Sequence, residues 1–177
     1  YVGMDIGRMV NQIDKLKVSM PEGQAVVTDS HIEQYIGLSK EFNTFELNDA
    51  VLKQDMGRAM RIADHFAQNQ KTYPITLTIT VLFGLFQQLF LLNYLMWLSR
   101  KRGVAFPNDM ELMRQIRANN SFVVKELKAN VGRWPNRRVF NILGLLREYD
   151  AKSKGVDSGG LDGGELLKEL LLKIFTL

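Results

Sequence analysis

Between Pro74 and Arg100 the chain reads ITLTITVLFGLFQQLFLLNYLMWLS, apolar almost throughout and closed by Arg100, Lys101 and Arg102. No other feature constrains the fold as strongly, because a helix of this kind has two homes. It can cross a membrane, for which about 20 mostly apolar residues suffice, with the basic triplet on the cytoplasmic side. It can also be the central helix of a soluble bundle, since a helix that is apolar nearly all round is one buried on most sides. The polar content favours the bundle. Thr76, Thr78 and Thr80 open the stretch, Gln87 and Gln88 stand in its middle, and Asn93 follows. Adjacent helical side chains project about 100° apart, so two neighbouring amides are hard to hide in lipid without partners. In a bundle Gln87 and Gln88 face either solvent or a neighbouring subunit, which makes them candidates for an assembly surface.

A chain of 177 residues has the length of one domain or one and a half, enough to bury a core. It contains no cysteine. That removes disulfides and thiolate chemistry, and suits a reducing compartment. The sequence opens on Tyr1 with no signal-peptide pattern; the expectation is a piece of a longer protein with material upstream. The net charge is +4 and unevenly spread. From Arg100 to Arg138 basic residues outnumber acidic ones ten to three, a candidate footprint for a phosphate backbone or simply a set of solvated helix faces.

Periodicity and capping chemistry divide the chain into helices. An opening helix is expected over Met4–Val18, then an extended piece Ala25–Val27 and a small helix over Ser30–Ile36 with capping-box spacing at Ser30 and Glu33. The stretch Gly37–Asn43 is the best candidate boundary. Asn43 and Glu46 have capping-box spacing, and Phe42 and Leu47 occupy hydrophobic-staple positions. Helices are expected at Thr44–Lys53, Met56–Gln68, from Pro74 through the apolar stretch, Asp109–Arg117, Ser121–Val131 and Pro135–Asp150. A glycine-rich connector, Lys152–Gly164, precedes a last helix started by Asp162 with Glu165 three residues on. The fold class is all-α, a bundle of eight or nine helices.

Little in the sequence points to catalysis. A GxxxxGK[ST] phosphate loop is absent from it. His31 and His65, the two histidines, lie on different helices without a partner at metal-ligand spacing. Ser121 and Ser153 have no nucleophile motif around them. The expectation is no enzyme active site and no cofactor. Two segments suit nucleic acid. Asp109–Val131 reads as helix, turn, helix, and could be a stand-alone basic helix-turn-helix-like DNA-binding module; Asn120 and Ser121 are the polar residues at the start of its second helix, with Lys125 and Lys128 for phosphates. The cluster Arg133-Trp134-Pro135-Asn136-Arg137-Arg138 suits phosphate contact with base stacking, or else Trp134 packing at a helix start.

The order and spacing of several motifs resemble the delta subunit of bacterial DNA polymerase III. FNTFELNDAVLKQDMGRAMRIADHF (42–66) resembles the first two helices of that family's C-terminal domain, and PITLTITVLFGLFQQLFLL (74–92) its next, which begins Pro-Ile and runs apolar. SFVVKELKANVGRW (121–134) resembles the following F-V-x-K-E helix. LLREYDAKSKGVDSGGLDGGELLKELLLKIF (145–175) is similar to its ending, an Asp closing one helix, a Lys/Gly loop and a leucine-rich last helix. DIGRMVNQIDKLKV (5–18) resembles the end of the preceding small helical domain.

The resemblance implies an architecture and a task. Residues 1–42 would be the tail of an AAA+ lid-like helical domain, and 43–177 a C-terminal helical collar domain. The family opens the ring-shaped sliding clamp and helps to load it on primed DNA within the clamp loader of the replicative polymerase. Its collar packs against the other loader subunits, of tau/gamma and delta-prime type. Its clamp contacts lie in an N-terminal domain outside this sequence, and it does not hydrolyse ATP. A cytoplasmic, non-membrane protein is implied. The loop near Asp150–Gly155 resembles a region that can face the template strand. Some members place an aromatic residue there; here Lys152 and Lys154 stand instead, which suits phosphate contact rather than stacking. Lys152 and Lys154 are therefore DNA-proximal candidates, with Arg133, Arg137 and Arg138 beside them.

Overall fold

The computed structural model describes residues 42–177, and before them Val10, Ile13, Asp14, Lys17 and Val18, all five helical. The expectations for the rest of residues 1–41, including the extended piece, the Ser30–Ile36 helix and His31, lie outside the described residues. The chain divides into two units, Tyr1–Phe42 and Asn43–Leu177.

The second unit is all-α. Its helices are α1 (Thr44–Leu52), α2 (Met56–Gln68), α3 (Ile75–Arg102), α4 (Asp109–Gln115), α5 (Ser121–Asn130), α6 (Asn136–Ser153) and α7 (Gly163–Thr176), with a 3-10 turn at Val131–Arg133. No strand occurs among the described residues.

The helix starts follow from local chemistry. Asn43 accepts from the N–H groups of Phe45 and Glu46, both at 3.0 Å, and Asn108 and Asn120 do the same for Glu111 and Val123. Each satisfies donors that a helix leaves without an internal partner. The reciprocal capping box forms at Asp162 and Glu165. Pro74 opens α3 from an extended conformation, its carbonyl receiving the N–H groups of Leu77 and Thr78. Gly103, in the left-handed region at φ +66°, ends α3. Arg100, Lys101 and Arg102 fill the last turn of α3, where cations suit the helix dipole.

α3 is the hub. It packs most closely on α6 and also touches α1, α5 and α7; α2 packs on α7, and α1 on α2. Thr78, Ile79, Leu82, Leu85, Phe86, Leu89 and Leu92 form its buried side. To the same core α6 contributes Val139, Ile142 and Tyr149, and α7 contributes Leu170, Leu171 and Ile174, all fully buried. α2 and α7 approach so closely that a Cβ on Gly164 would stand 2.5 Å from the Cβ of Ala67. A glycine is required there by contact rather than by flexibility.

The connector between α6 and α7 differs from its expected extent. α6 continues through Lys152 to Ser153, and Gly163 and Gly164 already belong to the first turn of α7. Helical i, i+4 ion pairs, Lys152 with Glu148 and Lys154 with Asp150, run along this end of α6.

Candidate assembly surface and the basic residues

The side of α3 turned away from the core is exposed but largely apolar. Thr76, Thr80, Phe83, Gln87, Phe90, Tyr94, Trp97 and Lys101 follow one another at alternating intervals of four and three, so they line one seam. From Phe83 to Trp97 every seam residue but Gln87 is aromatic. Phe83, Tyr94 and Trp97 keep 43%, 46% and 45% of their surface in solvent, and Phe90 is half-buried. The Tyr94 and Trp97 rings stack at 6.2 Å between centroids, 17° from parallel. The Arg102 guanidinium lies 5.7 Å from the Trp97 ring centre, a cation–π arrangement. Arg100 and Lys101 are exposed. Beside the last turns of α3, an open hollow of about 220 Å³ is lined by Met96, Ser99, Arg100 and Phe106.

α3 is also long and apolar enough to cross a membrane. Its seven buried residues nevertheless seal one side against neighbouring helices, so its apolar character serves two surfaces rather than one.

The two central amides part company. Gln87 is exposed within the aromatic seam. Gln88 instead turns to the α4–α5 connection, where its Nε2 donates to the Arg117 carbonyl at 3.2 Å. Successive residues diverge by about 100°, so of the two expected assembly-surface residues Gln87 lies on the seam and Gln88 meets a partner within this chain. Asn93 acts likewise, donating to the Trp134 carbonyl at 2.7 Å.

The basic cluster at Arg133–Arg138 does not form one surface. Trp134 is fully buried. Its Nε1 donates to the Leu52 carbonyl at 2.9 Å, and its ring meets Phe86 edge-on at 5.2 Å. Stacking on a base is thereby excluded for Trp134 in this conformation. Arg133 Nη1 donates to the Lys53 carbonyl at 2.6 Å, while Gln54 Nε2 donates to the Arg133 carbonyl at 3.1 Å; both tie the α5–α6 connection to the end of α1. Arg138 lies 4.4 Å above the Trp134 ring, and its Nη2 donates to the carbonyls of Ile174 and Phe175 at 3.2 and 3.1 Å. Those groups lack internal partners at the end of α7. Arg138 is thus a helix-end clamp. Arg137 is exposed and makes no ion pair among the described residues.

Lys152 and Lys154 share a helix end but not an environment. Lys154 is exposed and pairs with Asp150 at 2.6 Å. Lys152 pairs with Glu148 at 2.8 Å and sits 4.7 Å from the ring centre of buried Tyr149. The hydrogen bond to Glu148 holds the Lys152 ammonium above its usual pKa. Lys173 also approaches the Tyr149 ring, to 5.1 Å, and its pKa is raised by hydrogen bonds to Glu169 and Tyr149. Exposed pairs of this type are weak and screened by salt, so they leave Lys154 free to exchange Asp150 for a phosphate.

In the helix-turn-helix segment, Asn120 is taken up as the cap of α5 through the Val123 N–H. Lys128 pairs with Asp109 of α4. The exposed residues at the start of α5 are Ser121 and Phe122, with Lys125 a turn later. Among the described residues, no group of three His, Cys, Asp or Glu side chains could hold a metal ion.

The aromatic seam of α3 is what sequence reasoning missed. The signal was present in the spacing of Phe83, Phe90, Tyr94 and Trp97, hidden because apolar residues surround it on every side. Comparison with protein-family models, with curated proteins and with solved structures gives no match.

Proposed function

We propose that this chain is a non-catalytic scaffold of a bacterial replicative clamp loader, acting through a collar-type helical domain that binds the other loader subunits while the sliding clamp is loaded on primed DNA. The observation that carries the proposal is the aromatic seam of α3. It lies on the helix that the resemblance aligns with the family's apolar collar helix, and it leaves on the surface residue types that dominate protein interfaces. The motif order from Phe42 to Phe175 supports the same reading. A collar needs one helix face for its own core and another for its neighbours, and the buried side and half-exposed aromatic side of α3 suit that division.

The partners on this reading are loader subunits of tau/gamma and delta-prime type, with primed DNA near the end of α6. Gel filtration with those subunits tests the proposal: the chain is expected to co-elute with them, and elution alone refutes it. Lys154 is the DNA-proximal residue that the geometry favours, with Lys152 behind it. Reversing both charges, Lys152→Glu with Lys154→Glu, is expected to weaken primed-DNA binding by the reassembled loader and to flatten its salt dependence. Unchanged affinity and salt slope would remove the DNA contact while leaving the scaffold reading intact. Against the alternative, a DNA-reading helix-turn-helix, stands the use of Asn120 as a cap.

A further inference from the structure

We infer that the α3 seam from Phe83 to Trp97 seats a single amphipathic helix from a different protein chain, and that this helix carries carboxylates at the end that meets Arg100, Lys101 and Arg102. The inference deepens the scaffold reading and rests on it for the source of that helix, another loader subunit. The face itself is defined by this chain alone.

Three observations select the occupant. The seam has the four-three spacing along which one helix packs on another. It spans about four turns, some 21 Å at 1.5 Å per residue, a length matched by a partner helix of ordinary size. All its charge lies at one end: Ile75 to Ser99 hold no charged residue, and three cations follow at once. A nucleic-acid strand laid along the seam would find aromatic rings but no cation from α3 itself beside its phosphates over most of that length, whereas strand-binding surfaces interleave the two. A helix with an apolar stripe and one acidic end fits this distribution.

A second copy of α3 does not fit. Two antiparallel copies would set each basic triplet against the uncharged Ile75 end of the other, and two parallel copies would set the triplets together. A lipid surface would leave Gln87, at the centre of the seam, without partners for its amide. A facing helix can pair that amide and use it to fix its register.

The test mixes the chain with the tau/gamma- and delta-prime-type subunits and reads two things, co-elution and acrylamide quenching of tryptophan. Trp134 is already buried, so once the signal of the partner subunits measured alone is subtracted, a fall in quenching reports Trp97. The wild type is expected to co-elute with Trp97 shielded, and more weakly as salt rises. Phe83→Ala with Trp97→Ala, and separately Arg100→Glu with Lys101→Glu and Arg102→Glu, are each expected to lower affinity by at least about tenfold. Far-UV circular dichroism confirms that the variants fold. Co-elution undiminished in both variants overturns the seam proposal and leaves the scaffold reading standing. A wild type that elutes alone overturns the scaffold reading, and the same quenching is then read with oligothymidylate, with vesicles half of phosphatidylglycerol and with rising concentration of the chain. Shielding of Trp97 by any of these three, or by nothing tried, overturns the seam proposal.

Discussion

Trp97 and Trp134 sit in nearly the same local sequence and in opposite surroundings. Each has two or more cations within five residues on its C-terminal side, and each carries an arginine over its ring, Arg102 at 5.7 Å and Arg138 at 4.4 Å. Trp134 is sealed in the core, hydrogen-bonded to Leu52 and packed edge-on against Phe86. Trp97 keeps nearly half its surface in water beside Tyr94. A tryptophan among arginines is therefore no sign of a binding surface by itself. What separates the two is whether the cation has a second role within the fold. Arg138 reaches the carbonyls that end α7, whereas the contact shown for Arg102 is the Trp97 ring.

The comparison is broken most directly at Trp134. Trp134→Ala removes a fully buried indole and its hydrogen bond to Leu52, and is expected to cost about 3–5 kcal/mol in denaturant unfolding. A smaller loss would mean that water already reaches the cluster. Next is Arg138→Met, which keeps the apolar stem and strips the donors. Losing charged hydrogen bonds to otherwise orphaned carbonyls is expected to cost about 1.5–3 kcal/mol and to speed amide exchange at the end of α7. Arg138→Lys should not restore the full effect, since a single ammonium lacks the planar fork.

α7 is fastened at its other end by Asp162, and there the effect depends on pH. The Glu165 backbone N–H holds the Asp162 carboxyl below its ordinary pKa. The ionised cap therefore contributes fully above the usual aspartate value of about 3.9, and its contribution is lost as pH falls through the lowered value. Asp162→Asn keeps an acceptor without the titration. Its thermal stability should follow the wild type at neutral pH and fall less steeply in acid. Equal acid slopes would show that the cap does not titrate with folding.

The smallest effect is expected at Trp97. In the isolated chain Trp97→Ala should change stability by no more than about 0.5 kcal/mol, as at a surface position, while acrylamide quenching of the remaining fluorescence falls. If Trp97→Ala costs as much as Trp134→Ala, the contrast between the two tryptophans is gone, and α3 has no free face.

Much of the fold is legible in the sequence because its signals are local. Asn43, Asn108, Asn120 and Asp162 start helices by bonding N–H groups two or three residues away, so a short window contains the whole interaction. Pro74 and Gly103 bound α3 through their own backbone preferences. The candidate site is legible only in part. Gln87 stands out, but its aromatic neighbours read as core, because hydropathy does not distinguish the two sides of a helix that is apolar all round. Arg133 and Arg138 read as free cations because their acceptors, the carbonyls of Lys53 and of Ile174 and Phe175, lie far along the chain. The extension of α6 over Ala151, Lys152 and Ser153, nearly a full turn, escapes notice because the glycines that follow mark a loop without fixing where it begins.

By itself, then, the sequence determined the all-α class and most of the helix starts, since caps and turns are completed within a few residues of their signal. Only the tertiary structure decided which side of α3 is core, which tryptophan is buried and which arginines remain available. Those outcomes depend on groups dozens of residues away: the Leu52 carbonyl for Trp134, the end of α7 for Arg138, and α6 for the buried side of α3. Burial is a property of a residue's neighbours in space, and the neighbours of α3 are set by packing among helices that no short window of sequence contains.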